Sequence, residues 1–79
     1  MRVEDFRYRQ VAASIRAAIE RGELRSGDAV PSAKQISQGA LLPEGMEAVS
    51  IETARKALRV LVSEGIIYRE SAGLPFYVK

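Results

Sequence analysis

The stretch Val49–Leu58, VSIETARKAL, runs straight into Arg59 and so puts Arg55, Lys56 and Arg59 within five residues, with no acid among them. Cations crowded on one part of a helix can neutralise phosphates, and a planar guanidinium can also bond a base edge through two parallel N–H groups. The same cluster can equally be the solvated outer face of a surface helix. Its neighbourhood bears on the choice. Residues 43–52 carry Glu44, Glu47 and Glu52 without a cation, and the cations then follow without an acid.

Other chemistry is scarce. Cysteine and histidine are both absent, which removes disulfides, thiolate nucleophiles, the usual zinc ligand sets and the commonest general base. Serine–lysine or carboxylate chemistry stays formally open. A chain of 79 residues, however, has little room to enclose a pocket that excludes water. No enzyme is expected, and no metal or cofactor.

That length suits one domain, near the lower limit for a chain folding on its own core. With 47% apolar residues it is too apolar for a disordered chain. The net charge of +2 and pI of 9.3 lean mildly towards an anionic partner. No apolar run approaches the roughly 20 residues that cross a bilayer. The opening MRVEDFRYRQ lacks the apolar centre of a secretory signal. A cytoplasmic protein without a membrane role is the expectation.

The elements that must position the cations follow from periodicity. Tyr8, Val11, Ala12, Ile15, Ala18 and Ile19 recur at helical spacing, so a first helix is expected over about 6–21, capped by Asp5 and stopped by Gly22. Leu24–Pro31 is a connector with turn chemistry at Gly27-Asp28 and extended backbone at Ala29-Val30, since Val30 precedes a proline. Ser32 and Gln35 make a capping box for a short second helix, about 33–39, with Ala33 and Ile36 inward. Pro43 and Gly45 break the next stretch, about 40–49, into a loop from which Leu41, Leu42 and Met46 tuck inward.

Ser50 caps a third helix over about 51–64, which Gly65 ends. At 100° per residue Ala54, Ala57, Leu58, Leu61 and Val62 share its inner side, Glu52, Lys56 and Arg59 lie opposite, and Ile51 and Arg55 flank them. Two β-rich runs around the turn Ser71–Pro75 form a hairpin over about 66–78, with Tyr68 and Phe76 as core residues. Arg16 and Arg21 fall on the outer face of the first helix, and Arg7 and Arg9 near its start could approach a polyanion. Three helices and a closing hairpin make an α+β domain with the element order of a winged helix-turn-helix. In that fold the third helix enters the DNA major groove and the wing lies beside the backbone.

The words of the sequence then become specific. YRQVAASIRAAIERGELRSGDAVPSAKQIS and VSIETARKALRVLVSEGIIYRE resemble the DNA-binding domain of GntR-family regulators. There a tyrosine and an Ile-Arg helix precede Ile-x-x-Gly-x-Leu-x-x-Gly-Asp-x-Leu-Pro-Ser, and Val-Ser-Arg-x-Thr-Val-Arg-x-Ala-Leu leads to a Leu-x-x-Glu-Gly step. The likeness spans about residues 8–79. It implies that Lys34 stands where the family carries a DNA-contacting arginine, and that Ser50, Thr53 and Arg55 match positions touching phosphate or bases. It also makes Gly73 the first glycine of the wing tip. Lys56 and Arg59 complete the expected site as phosphate contacts.

The chain departs from the pattern in three places. Ile51 and Glu52 replace an arginine and a small polar residue, and Glu52 would repel phosphate unless it accepts a bond from cytosine N4. The wing reads SAGLPFYV, with Pro75 for a second glycine and no cation at its tip. The stretch 40–49 is longer than the family's few residues there, and acidic.

The resemblance implies a bacterial transcription regulator, a repressor, that binds a palindromic operator in double-stranded DNA as a homodimer. An effector would enter only through a C-terminal domain outside this chain. The departures also define a different reading: a winged-helix protein-interaction module without DNA binding, whose apolar patch would be Ile51 with Leu41, Leu42 and Met46. The same loop is a candidate for pairing two copies. Salt separates the two readings, since only DNA binding must weaken steeply with it.

Overall fold

In the computed structural model residues 3–79 are described, with side chains from Phe6 onward. The elements are α1 (Val3–Glu20), β1 (Ala29–Val30), α2 (Ala33–Ser37), α3 (Ile51–Ser63), β2 (Ile67–Tyr68) and β3 (Phe76–Val78). The helix α1 starts at Val3 rather than Phe6, because nothing in residues 3–5 breaks a helix. Asp5 therefore sits inside it instead of capping it, and the Asp5 side chain lies outside the described residues. Val11, Ala12, Ile15 and Ala18 form its buried stripe, as their spacing requires.

The expected two-stranded hairpin is a three-stranded antiparallel sheet in the order β1-β3-β2. Val30, held extended ahead of Pro31, pairs with Phe76, and Ala29 pairs with Tyr77. Ile67 faces Val78 and Tyr68 faces Tyr77 on the other edge of β3. Gly27 N–H donates to the Val78 carbonyl at 2.8 Å and Val78 N–H to the Asp28 carbonyl at 3.0 Å, so the connector is stitched to the wing.

The core lies where α3 crosses α1 and α2 above this sheet: Ile15, Ile36, Leu58, Leu61, Ile67 and Val11 are its largest fully buried side chains. Burying each such side chain contributes roughly 1.5–3 kcal/mol. Ala54 and Ala57, also buried, keep the α3 backbone close to its neighbours. Two inward assignments fail. Val62 is 41% exposed, and Tyr68 is exposed on the outer face of β2 against the Tyr77 ring, centroids 6.0 Å apart.

The helix ends behave as their residues dictate. At Gly65, φ is +74°, Gly65 N–H donates to the Val62 carbonyl and Ile66 N–H to the Leu61 carbonyl, both at 3.0 Å. This glycine-terminated pattern satisfies carbonyls that the helix leaves open. It also turns the chain directly into β2. Arg16, on the outer face of α1 as expected, bonds Glu64 at 2.6 Å and ties α1 to that same corner.

The long connector is packed, not loose. Ser14 Oγ donates to the Leu41 carbonyl at 2.7 Å, and Val49 N–H donates to the Ser37 carbonyl at 3.2 Å. Leu41, Leu42 and Met46 lie half-buried against the core, and Val49 is buried in it. Leu41 is the one non-glycine residue with positive φ among the described residues, at 55°.

Candidate nucleic-acid interface

Two caps set the site. Ser32 Oγ accepts from Gln35 N–H at 3.2 Å while Gln35 Oε1 accepts from Ser32 N–H at 2.9 Å, which completes the capping box of α2. On α3, Ser50 Oγ accepts from Thr53 N–H at 3.1 Å and donates to Thr53 Oγ1 at 2.9 Å. Thr53 is only 6% exposed. Its hydroxyl closes the cap, so among the expected contact residues Thr53 is turned inward and supports Ser50.

From this start α3 presents Ile51, Glu52, Arg55, Lys56 and Arg59 to the outside. Arg55 and Arg59 line an open cleft whose other walls are the β1–α2 junction, from Ala29 to Gln35, and the wing. Leu58 forms part of its floor. Gly73 lies at the far rim, at the third position of a turn closed by Leu74 N–H on the Ser71 carbonyl at 3.2 Å, with φ +87°. A type II turn demands positive φ there, which is why a glycine occupies it. The apolar wing tip is exposed, Leu74 by 48%.

The structure gathers three expected residues, Arg55, Arg59 and Gly73, on this cleft, and adds one that the sequence reading passed over. Arg69 lines the cleft too, with its guanidinium carbon 4.5 Å from the centre of the Phe76 ring. Phe76 stacking holds that guanidinium in place at a cost of little rotamer freedom, an interaction of about 0.5–1 kcal/mol at exposed sites. Strand alternation was the available signal: Arg69 follows Ile67 by two, so it continues the face that β2 turns towards α3. The signal was hidden because the strand is only two residues long.

The remaining expected residues lie elsewhere. Lys34 is exposed on α2 but is not part of the cleft lining. Lys56 turns towards α1, where its ammonium stands 4.4 Å from the centre of the Tyr8 ring, and Arg9 lies 6.0 Å from the same ring. Arg55 Nη1 donates to Glu52 Oε1 at 3.1 Å across one helical turn, with the side chains 57% and 77% exposed. An exposed pair of this kind is worth only about 0.3–0.5 kcal/mol, so it orients Arg55 without locking it. Of the alternative apolar patch, Ile51 is exposed, whereas Leu41, Leu42 and Met46 are spent on the core.

A capped helix with its first half exposed, backed by a core and bordered by a cation-bearing hairpin, is the constellation that the fold uses on DNA. The model for bacterial regulatory proteins of the gntR family matches residues 7–73. The chain belongs to the GntR family. Within that family it is 44% identical over 72 residues to the mannosyl-D-glycerate transport/metabolism system repressor MngR of Escherichia coli (strain K12). That alignment covers 91% of this chain and 27% of the relative, so the chain spans about a quarter of MngR.

Solved GntR-type structures agree. The AraR DNA-binding domain in complex with operator ORX1 superposes with a TM-score of 0.75 at 28% identity, covering 92% of this chain and 78% of that one. YtrA from Sulfolobus acidocaldarius, a GntR-family transcription factor, gives 0.70 at 33% identity, covering 91% of this chain and 54% of that one. The chain is thus a GntR-family winged-helix DNA-binding domain, three helices with a small antiparallel sheet. No helix among the described residues is long and apolar enough to cross a membrane.

Proposed function

We propose that this domain recognises a specific operator in double-stranded DNA and that the regulator containing it represses transcription in the bacterial cytoplasm. The convergence of Arg55, Arg59 and Arg69 on one cleft between α3 and the wing carries the proposal. The N-terminal half of α3 enters the major groove with Arg55 at base edges. Arg59 and Arg69 contact phosphates on the strand that passes between helix and wing. Ser50, at the mouth of α3, offers a hydroxyl to the backbone, and Thr53 supports it from within. Lys34 on α2 and Lys56 beside Tyr8 reach phosphates on the outer sides of the groove, and Gly73 lets the wing tip approach the duplex closely.

Two copies acting on a palindrome complete the reading. A single domain with principal extents of 31 × 27 × 21 Å covers about one half-site. The repressor MngR and the operator complexes of AraR support repression and operator binding here. No catalytic step is assigned to the domain, and an effector would act through a further domain.

The test is selection from a random duplex pool, followed by titration of the winning sequence from low to high salt. An enriched palindromic site whose affinity falls steeply with salt is the expected result, each neutralised phosphate adding about one unit to the slope. Absence of enrichment, even with the domain fused to a dimerising coiled coil, overturns the proposal.

A further inference from the structure

Glu52 stands on the exposed first turn of α3, three residues before Arg55 and in contact with it. A carboxylate there is costly near phosphates, yet it is not withdrawn: its side chain is 77% exposed and points along the same face as the base-reading arginine. Resting on the DNA-binding reading above, we infer that Glu52 and Arg55 read two successive bases, a cytosine by Glu52 and a guanine by Arg55.

The chemistry of the two groups is complementary. A guanidinium fork matches the O6 and N7 acceptors of guanine, and a carboxylate accepts from the N4 amino group of cytosine. The spacing also fits. In zinc-finger helices, which also lie in the major groove, side chains about three positions apart reach successive bases. The 3.1 Å contact shows that the two heads reach the same part of the exposed face. The pair is solvent-exposed, so breaking it to engage DNA costs little. Every other base pair at the Glu52 step offers the carboxylate a poorer partner, and a phosphate repels it. Glu52 therefore penalises unspecific binding as well as selecting a base, which accounts for an acid at the tip of a helix whose middle carries Arg55, Lys56 and Arg59.

The experiment is the same selection run on three proteins: the unchanged chain, Glu52→Gln and Glu52→Ala, with affinities measured for each winning site and for its single-base variants. Glu52 is exposed and takes no part in the Ser50 cap, so both variants keep the fold. The unchanged chain should enrich adjacent cytosine and guanine in each half-site, and replacing that cytosine should cost on the order of tenfold in affinity. Glu52→Gln should move the preference at that step to adenine, whose N6 and N7 suit an amide, while the neighbouring guanine stays. Glu52→Ala should level the four bases there. Base preferences unchanged in both variants, with affinity rising equally on all sequences, would reduce Glu52 to a phosphate repellent and overturn the inference. Failure of the unchanged chain to enrich any site would instead overturn the DNA-binding reading beneath it.

Discussion

Two irregular regions border α3, and they treat their residues in opposite ways. The connector before it, residues 40–49, packs Leu41, Leu42, Met46 and Val49 against the core and leaves Glu44 and Glu47 outside. The wing beside it exposes Leu74 at its tip and directs Arg69 into the cleft with Arg55 and Arg59. Negative charge thus collects before and at the first turn of α3, and positive charge along its middle and on the wing. The long connector at the helix-turn-helix corner is accommodated because its apolar residues pack on the core, not because it stands away from it. The wing, with two short strands and an open cleft, is the part left available to a partner.

This contrast can be tested through changes of decreasing size. Leu61→Ala removes a fully buried side chain beneath both regions and should cost about 2–5 kcal/mol, enough to unfold much of so small a domain, as read by urea or thermal unfolding. Arg55→Ala should leave the melting temperature nearly unchanged and cost about 1–3 kcal/mol in operator affinity. An unchanged affinity would place the recognition face somewhere other than the cleft.

Ser50→Ala should lower stability by about 1 kcal/mol through loss of the α3 cap, and it also leaves the buried Thr53 hydroxyl without its donor. Arg69→Ala should weaken binding uniformly across sequences and reduce the salt slope by about one unit, as expected for a phosphate contact. A change of base preference instead would make the wing a reader. The smallest effect belongs to Glu44→Gln with Glu47→Gln, both exposed: stability should move by no more than about 0.5 kcal/mol, because the connector is held by Leu41, Leu42, Met46 and Ser14 rather than by its acids.

The helices, their caps and their stops could be read from local chemistry. Ser32 with Gln35 and Ser50 with Thr53 bond as capping residues do, and Gly65 ends α3 where φ must be positive. The buried stripe of α1 follows from its 3.6-residue period. Where the period was short or the neighbour distant, the reading failed. Val62 lies on the inner side of an ideal helical wheel but is 41% exposed. Tyr68 belongs to a strand too short to show its alternation, and β1 becomes a strand only because β3 offers it an edge.

The site divides along the same line. Type and spacing alone marked Arg55, Lys56 and Arg59 as a cationic set on a capped helix, since position along a helix is a local property. Tertiary structure alone turned Lys56 towards Tyr8, buried Thr53 behind Ser50 and brought Arg69 across to Arg55 and Arg59. Each of those outcomes depends on which element packs beside α3. A sequence records the order of its residues, whereas the side of α3 on which β2 and α1 come to rest is chosen by the core that they share.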